Sequence, residues 1–187
     1  MGTKRQDIVE SADRLFYREG FADVGIDRLV DDADVALGTL YRHFRSRSEV
    51  VVAAMAHRHD AFLQALTGTP PAATGAAAVL HLFDALAAWS SAEGGNGCFF
   101  LRAAADYPAD AGIRAAALAH KRTYLALVER LLCQGGWDRE RAAGLAPRIF
   151  ILLEGAVAAA FTLGDHAAVA DARSIAASIL AAGGPTS

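Results

Sequence analysis

Ile8, Ala12, Leu15 and Phe16 stand at i, i+4, i+7 and i+8, the apolar stripe of an amphipathic helix running from about Lys4 to Glu19. That spacing returns throughout the chain. From Ala76 onward the sequence is Ala-rich and lacks the period-two alternation that a half-buried strand needs. The expected fold class is therefore all-α, with glycine and proline as punctuation.

Gly20 stops the first helix, and Phe21 packs back on its stripe. A second helix fits Ile26 to Ala33 behind Gly25. After a tight Asp34-Val35 connection, a third covers Leu37 to Phe44 and buries Leu40 and Phe44, one turn apart. Two short helices joined by so brief a turn, the second basic, form a helix-turn-helix. Ser46-Arg47-Ser48-Glu49 has capping-box form and starts a fourth helix through Val51, Met55, Phe62 and Leu66. Thr67-Gly68-Thr69-Pro70-Pro71, with Ala72 to Gly75, is the clearest linker. Further helices are expected up to Ser91, from Cys98 to Asp106, from Asp110 to Cys133, from Asp138 to Leu163, and from Gly164-Asp165 to about Ala182. Pro147 removes an amide donor inside the eighth, which predicts a kink or break near Leu145. The count is about nine helices, divided as residues 1–46, carrying the helix-turn-helix, and residues 47–187.

Charge narrows the function. The 187-residue chain is 53% hydrophobic with a net charge of −3, which excludes a general polyanion binder and requires any nucleic-acid contact to be local. The first 35 residues hold five bases against nine acids, yet Ala36 to Ser48 contains Arg42, Arg45 and Arg47 and no acid. A basic island in an acidic neighbourhood suits a surface facing phosphate.

Other classes lack support. Cys98 and Cys133 have neither CxxC nor His-rich spacing, and His57 and His59 fall on divergent helix faces, so no metal or cofactor is expected. No Ser/His/Asp pattern or phosphate-cradling glycine loop marks an enzyme. No signal core is evident, and apolar runs read as interrupted short of a membrane span, so a soluble cytoplasmic protein without a membrane partner is expected.

Ala12, Leu15-Phe16, Gly20-Phe21, Ala33, Val35, Gly38-Thr39-Leu40-Tyr41-Arg42-His43-Phe44 and Ser46 together resemble the TetR family of bacterial transcriptional regulators. The resemblance implies a three-helix DNA-binding domain ahead of a helical ligand-binding and dimerisation domain. It also implies a repressor that leaves its operator when a small-molecule effector binds. Three positions depart from the family pattern: Asp34 replaces a turn glycine, Ala36 a Ser or Thr cap, and Arg47 a lysine.

The expected DNA contacts are Leu37, Gly38, Thr39, Arg42 and His43 toward the groove, with Tyr41, Arg45 and Arg47, and also His43, gripping backbone. Arg42 is the candidate for a bidentate contact to guanine, and Leu37 suits a thymine methyl. Docking on a palindromic double-stranded operator requires a homodimer. The last two helices supply its candidate surface, through Gly155, Ala156, Ala158, Ala159 and Ala160 on one and Ala168, Ala172, Ile175, Ala176 and Ile179 on the other. Effector-binding candidates are Phe62, Leu66, Phe83, Trp89, Phe99, Phe100, Tyr107, Tyr124, Phe150 and Glu154; Glu154 either anchors a ligand or forms a structural ion pair. An alternative is a thiol-based redox regulator acting through Cys98, which opens a helix after a glycine-rich break.

Overall fold

A computed structural model of the chain describes residues 3–67, 73–93, 95–165 and 167–184. Among them run nine helices and no strand: α1 (Lys4–Glu19), α2 (Ile26–Asp32), α3 (Leu37–His43), α4 (Arg47–Thr67), α5 (Gly75–Glu93), α6 (Phe99–Asp106), α7 (Ala111–Gln134), α8 (Arg139–Leu163) and α9 (Ala167–Ala182). The Gly68–Ala72 part of the expected linker lies outside the described residues.

Helix ends follow local chemistry. Thr3 Oγ1 accepts from the Gln6 amide and caps α1, and Asp138 does the same for α8 through the Arg141 amide at 2.9 Å. The Ser46 hydroxyl accepts from the Glu49 amide at 3.2 Å, and the Glu49 carboxylate reaches back to the Arg45 amide at 2.8 Å. The box closes one residue further back than the standard motif. Pro147 does not break α8, which is continuous across it. Ala143, whose carbonyl loses its partner, and Pro147 are both exposed, so water can take the unmade bond.

The chain forms two compact units. The first comprises Met1–Phe62 and Phe99–His120. The unit that carries α1 to α3 thus also takes in most of α4, all of α6 and the start of α7, well beyond residues 1–46. Phe16 stacks on Phe21 at 5.0 Å, and Phe99 lies 5.0 Å from Phe21. Ile8, Ala12, Leu29, Leu40, Val50 and Met55 complete a core with almost no exposure, each large side chain contributing about 1.5–3 kcal/mol. Two arginines tie its helices together. Arg58 on α4 meets both Asp13 oxygens, at 2.6 and 3.0 Å, while lying 4.2 Å over the Tyr17 ring. Arg102 on α6 donates to the Tyr17 carbonyl at 3.1 Å.

The second unit comprises Leu63–Cys98 and Lys121–Ser187. In it α9 packs along α8 and against α5. Ala156, Ala160, Ala172 and Ala176 are buried within this chain, correcting their assignment to a surface between copies: small residues here let α8 and α9 approach each other. The outward face holds Ile151 at 67% exposure, Phe161 at 52%, Leu163 at 74% and Ile175 at 50%, with Gly155 and Ala158 also exposed. At another edge Gly75 and Gly135 touch backbone to backbone, since a Cβ on Gly135 would fall 2.0 Å from the Gly75 Cα. By length and composition α8 does suffice to cross a membrane, contrary to the sequence expectation. Its Ala142, Leu145, Ala146, Ile149 and Leu153 are instead buried in the unit.

Candidate nucleic-acid interface and effector residues

The interface is built on the first unit. Helix α2 ends in a Schellman closure: the Val35 amide donates to the Val30 carbonyl at 3.0 Å and the Asp34 amide to the Asp31 carbonyl at 3.2 Å. That closure needs a left-handed residue, and Asp34 supplies it at φ +48°, the only non-glycine at positive φ among the described residues. Lys4 Nζ, from the first turn of α1, donates to the Asp34 carbonyl at 3.2 Å. The chain then turns into α3 through Ala36, which has cap geometry but no side-chain cap bond.

Leu40 and Phe44 are buried at 0% and 3% exposure and fix α3 on the core. Leu37, Gly38, Tyr41, Arg42 and His43 are therefore exposed, and Thr39 is half-buried with its Oγ1 3.4 Å from the Arg42 guanidinium. A Cβ at Gly38 would meet nothing within 4 Å, so packing does not require the glycine there. Arg45, just past the helix, is also exposed.

Asp32 and Glu19 are already engaged. Asp32 accepts from the Ser11 hydroxyl and from Arg14 at 2.5 Å, with Arg28 at 3.8 Å, and Glu19 pairs with Arg28 at 3.0 Å. The Ser11 hydrogen bond is the main cause holding the Asp32 carboxyl below its ordinary range; burial opposes it, and Arg14 and Arg28 reinforce it. The guanidinium groups of Arg42 and Arg45 carry no acidic partner among the described residues, although Glu49 accepts from the Arg45 amide. The exposed face of α3 consequently presents cations beside an α1–α2 surface that stays net acidic, although Asp32 and Glu19 there are paired.

Arg47 belongs elsewhere, a correction to its assignment as a phosphate contact. Its guanidinium donates to the Phe21 carbonyl and, at 3.0 Å, to the Val24 carbonyl, and lies over the Phe16 and Tyr107 rings. Burial lowers its pKa. It binds the α1–α2 loop to the start of α4. Arg5, not among the expected contacts, rests its guanidinium 5.1 Å from the Phe44 ring centroid, beside α3. Two bases in the first turn of a helix, against the macrodipole, were the available signal.

The effector candidates divide. Phe99 and Tyr107 pack on Phe21 in the core of the first unit, which corrects their reading as pocket walls. Phe62 and Phe100 flank the buried His120, Phe100 stacking on it at 3.5 Å, and His120 Nδ1 lies 2.9 Å from His59 Nδ1. In the second unit Leu66 and Phe83 are buried. Tyr124 meets Phe150 edge-on at 5.9 Å, and its phenol pKa is pushed far up by burial and then by the Glu154 charge. Glu154 holds Lys121 Nζ at 2.6 Å from both oxygens, and that ammonium is also 3.2 Å from Cys98 Sγ. Trp89 lines a small hollow with Leu86, Ser90, Gly97, Val157 and Phe161.

An exposed cationic helix anchored by two apolar residues behind a tight turn, in an all-helical chain, defines a helix-turn-helix DNA-binding protein. The sequence pattern described as bacterial regulatory proteins, tetR family, matches residues 8–54. A solved TetR-family transcriptional regulator from Streptomyces coelicolor is 31% identical, with 94% of this chain and 92% of that one covered at a TM-score of 0.79. The chain belongs to the TetR family of transcriptional regulators, which are DNA-binding proteins and not enzymes. A TetR regulator from Legionella pneumophila shares the fold at 19% identity, a TM-score of 0.81, and 96% and 98% coverage. An HTH-type transcriptional regulator of Staphylococcus aureus is 34% identical over 59 residues, 32% of each chain.

Proposed function

We propose that the protein is a ligand-responsive repressor which binds a palindromic operator as a homodimer and leaves it when a small-molecule effector binds. The outward face of α3 carries this reading: Arg42 and Thr39 read base edges, while Tyr41, His43 and Arg45 grip phosphate. Two copies associate through the exposed side of α8 and α9 around Ile151, Gly155, Ala158 and Ile175, giving a four-helix bundle. The effector site draws on the second unit, where Trp89 and Phe150 offer aromatic walls. A cationic effector has to displace Lys121 to reach Glu154, which favours a neutral or hydroxylated ligand. Release follows if the effector prefers a conformer whose two recognition helices have the wrong separation for the half-sites. Selection of bound DNA from random fragments tests the reading, followed by a ligand screen for release. A recovered palindrome is expected, and recovery of no preferred sequence refutes it.

A second reading rests on Lys121 lying 3.2 Å from the Cys98 sulfur. Peroxide, not a ligand, would then release the operator by oxidising that thiol. Release that persists in Cys98→Ser rules it out.

A further inference from the structure

Several arginines of the first unit are spoken for: Arg14, Arg28 and Arg58 hold carboxylates, and Arg47 and Arg102 hold carbonyls. Within Thr3–Phe62 those whose guanidinium has no acid or carbonyl partner among the described residues are Arg5, Arg18, Arg42 and Arg45. Arg42 and Arg45 belong to the face of α3 already described. Arg18 sits in the last turn of α1, where a cation suits the helix dipole. Arg5 sits in the first turn, where the dipole disfavours it, so its placement needs another cause. Its guanidinium lies over the Phe44 ring, immediately beyond the recognition helix, and is exposed. A cation held over an aromatic face can keep donors available and gives up less side-chain freedom when it meets an anion. Lys4, one residue earlier, fixes that end of α1 to the turn that precedes α3 by donating to the Asp34 carbonyl.

We propose that Arg5 is a DNA-binding residue that grips a backbone phosphate beside the one met by the recognition helix, and that Lys4 is a positioning residue holding it there. The pair extends the cationic surface from α3 onto α1. Each half-site is then clamped from two helices, and the added contact carries no base information. The inference rests on the reading of α3 as the DNA-facing helix.

The test is the salt dependence of binding to a labelled mixed-sequence duplex, which needs no knowledge of the operator. Each phosphate contact contributes about 0.9 to the slope of log K against log salt. Arg5→Ala is expected to lower that slope by about one unit per protomer, and Arg5→Lys to restore most of it. Arg18→Ala removes the same charge about 20 Å away along α1 and is expected to leave the slope unchanged. Lys4→Met is expected to weaken binding through Arg5, so that it adds little in the Arg5→Ala background. An unchanged slope in Arg5→Ala, or an equal fall in Arg18→Ala, overturns the inference alone. Failure of the parent protein to bind any duplex overturns the reading of α3, and this one with it.

Discussion

The Lys121 ammonium sits 2.6 Å from both carboxylate oxygens of Glu154, joining α7 to α8 inside the second unit. Both side chains are mostly covered, at 23% and 28% exposure, so removing one partner strands the other's charge. Lys121→Met is expected to cost about 1–3 kcal/mol in chemical denaturation. The double variant with Glu154→Gln should recover part of that. Strict additivity of the two single effects would show that the pair has no coupling.

The Arg47 geometry moves its expected effect from DNA affinity to folding. Arg47→Ala removes bonds to two carbonyls and two ring contacts, and should cost about 2–3 kcal/mol. The salt slope of the folded fraction should stay at its parent value. Arg42→Ala should do the reverse, leaving stability intact and reducing discrimination at one base pair by about 1–3 kcal/mol. Binding assays against single-base operator variants, set beside denaturation curves, separate the two.

At the entry to α3, Ala36 has the backbone of a cap and lacks the side chain. Ala36→Ser should stabilise the unit by about 0.5–2 kcal/mol and slow amide exchange in the first turn of α3. In the parent protein those amides should gain protection when DNA binds. Equal protection with and without DNA would mean the missing cap has no bearing on order.

Asp34→Gly relieves a left-handed backbone at φ +48° but frees the unfolded chain, so the net gain should be small, about 0.5–1 kcal/mol. Asp34→Ala should lose stability, having neither the freedom of glycine nor the local bonding of aspartate. Thermal midpoints of the two variants should fall on opposite sides of the parent.

Asp32 carries a pH signature. Its pKa is lower in the folded protein, mainly through Ser11, so its contribution is present above its unfolded value of about 4 and is lost as pH falls through the folded value. Ser11→Ala should therefore shift acid unfolding to higher pH. An unchanged midpoint would mean that Asp32 titrates without consequence for the fold.

The helix order was legible because helical periodicity and glycine or proline breaks are local signals, and Leu40 and Phe44 follow from spacing alone. Arg47 was not legible, because its carbonyl partners lie 23 and 26 residues away and are met only once the chain has reversed direction. Phe99 was misread for the same reason: its partner Phe21 is 78 residues earlier. Alanine stripes mislead differently, since small residues permit close helix contact within a chain as well as between chains. Ala156 and Ala176 serve the first, and their spacing cannot tell which.

The touch between Gly75 and Gly135 has a genetic corollary. A Cβ on Gly135 would overlap the Gly75 backbone, and one on Gly75 would fall 2.7 Å from the Trp137 ring on a residue already at φ +62°. Every missense change at either codon adds at least that carbon. In a saturation library scored for folded protein, these two codons should stand out as a matched pair of gaps, depleted together although 60 positions separate them.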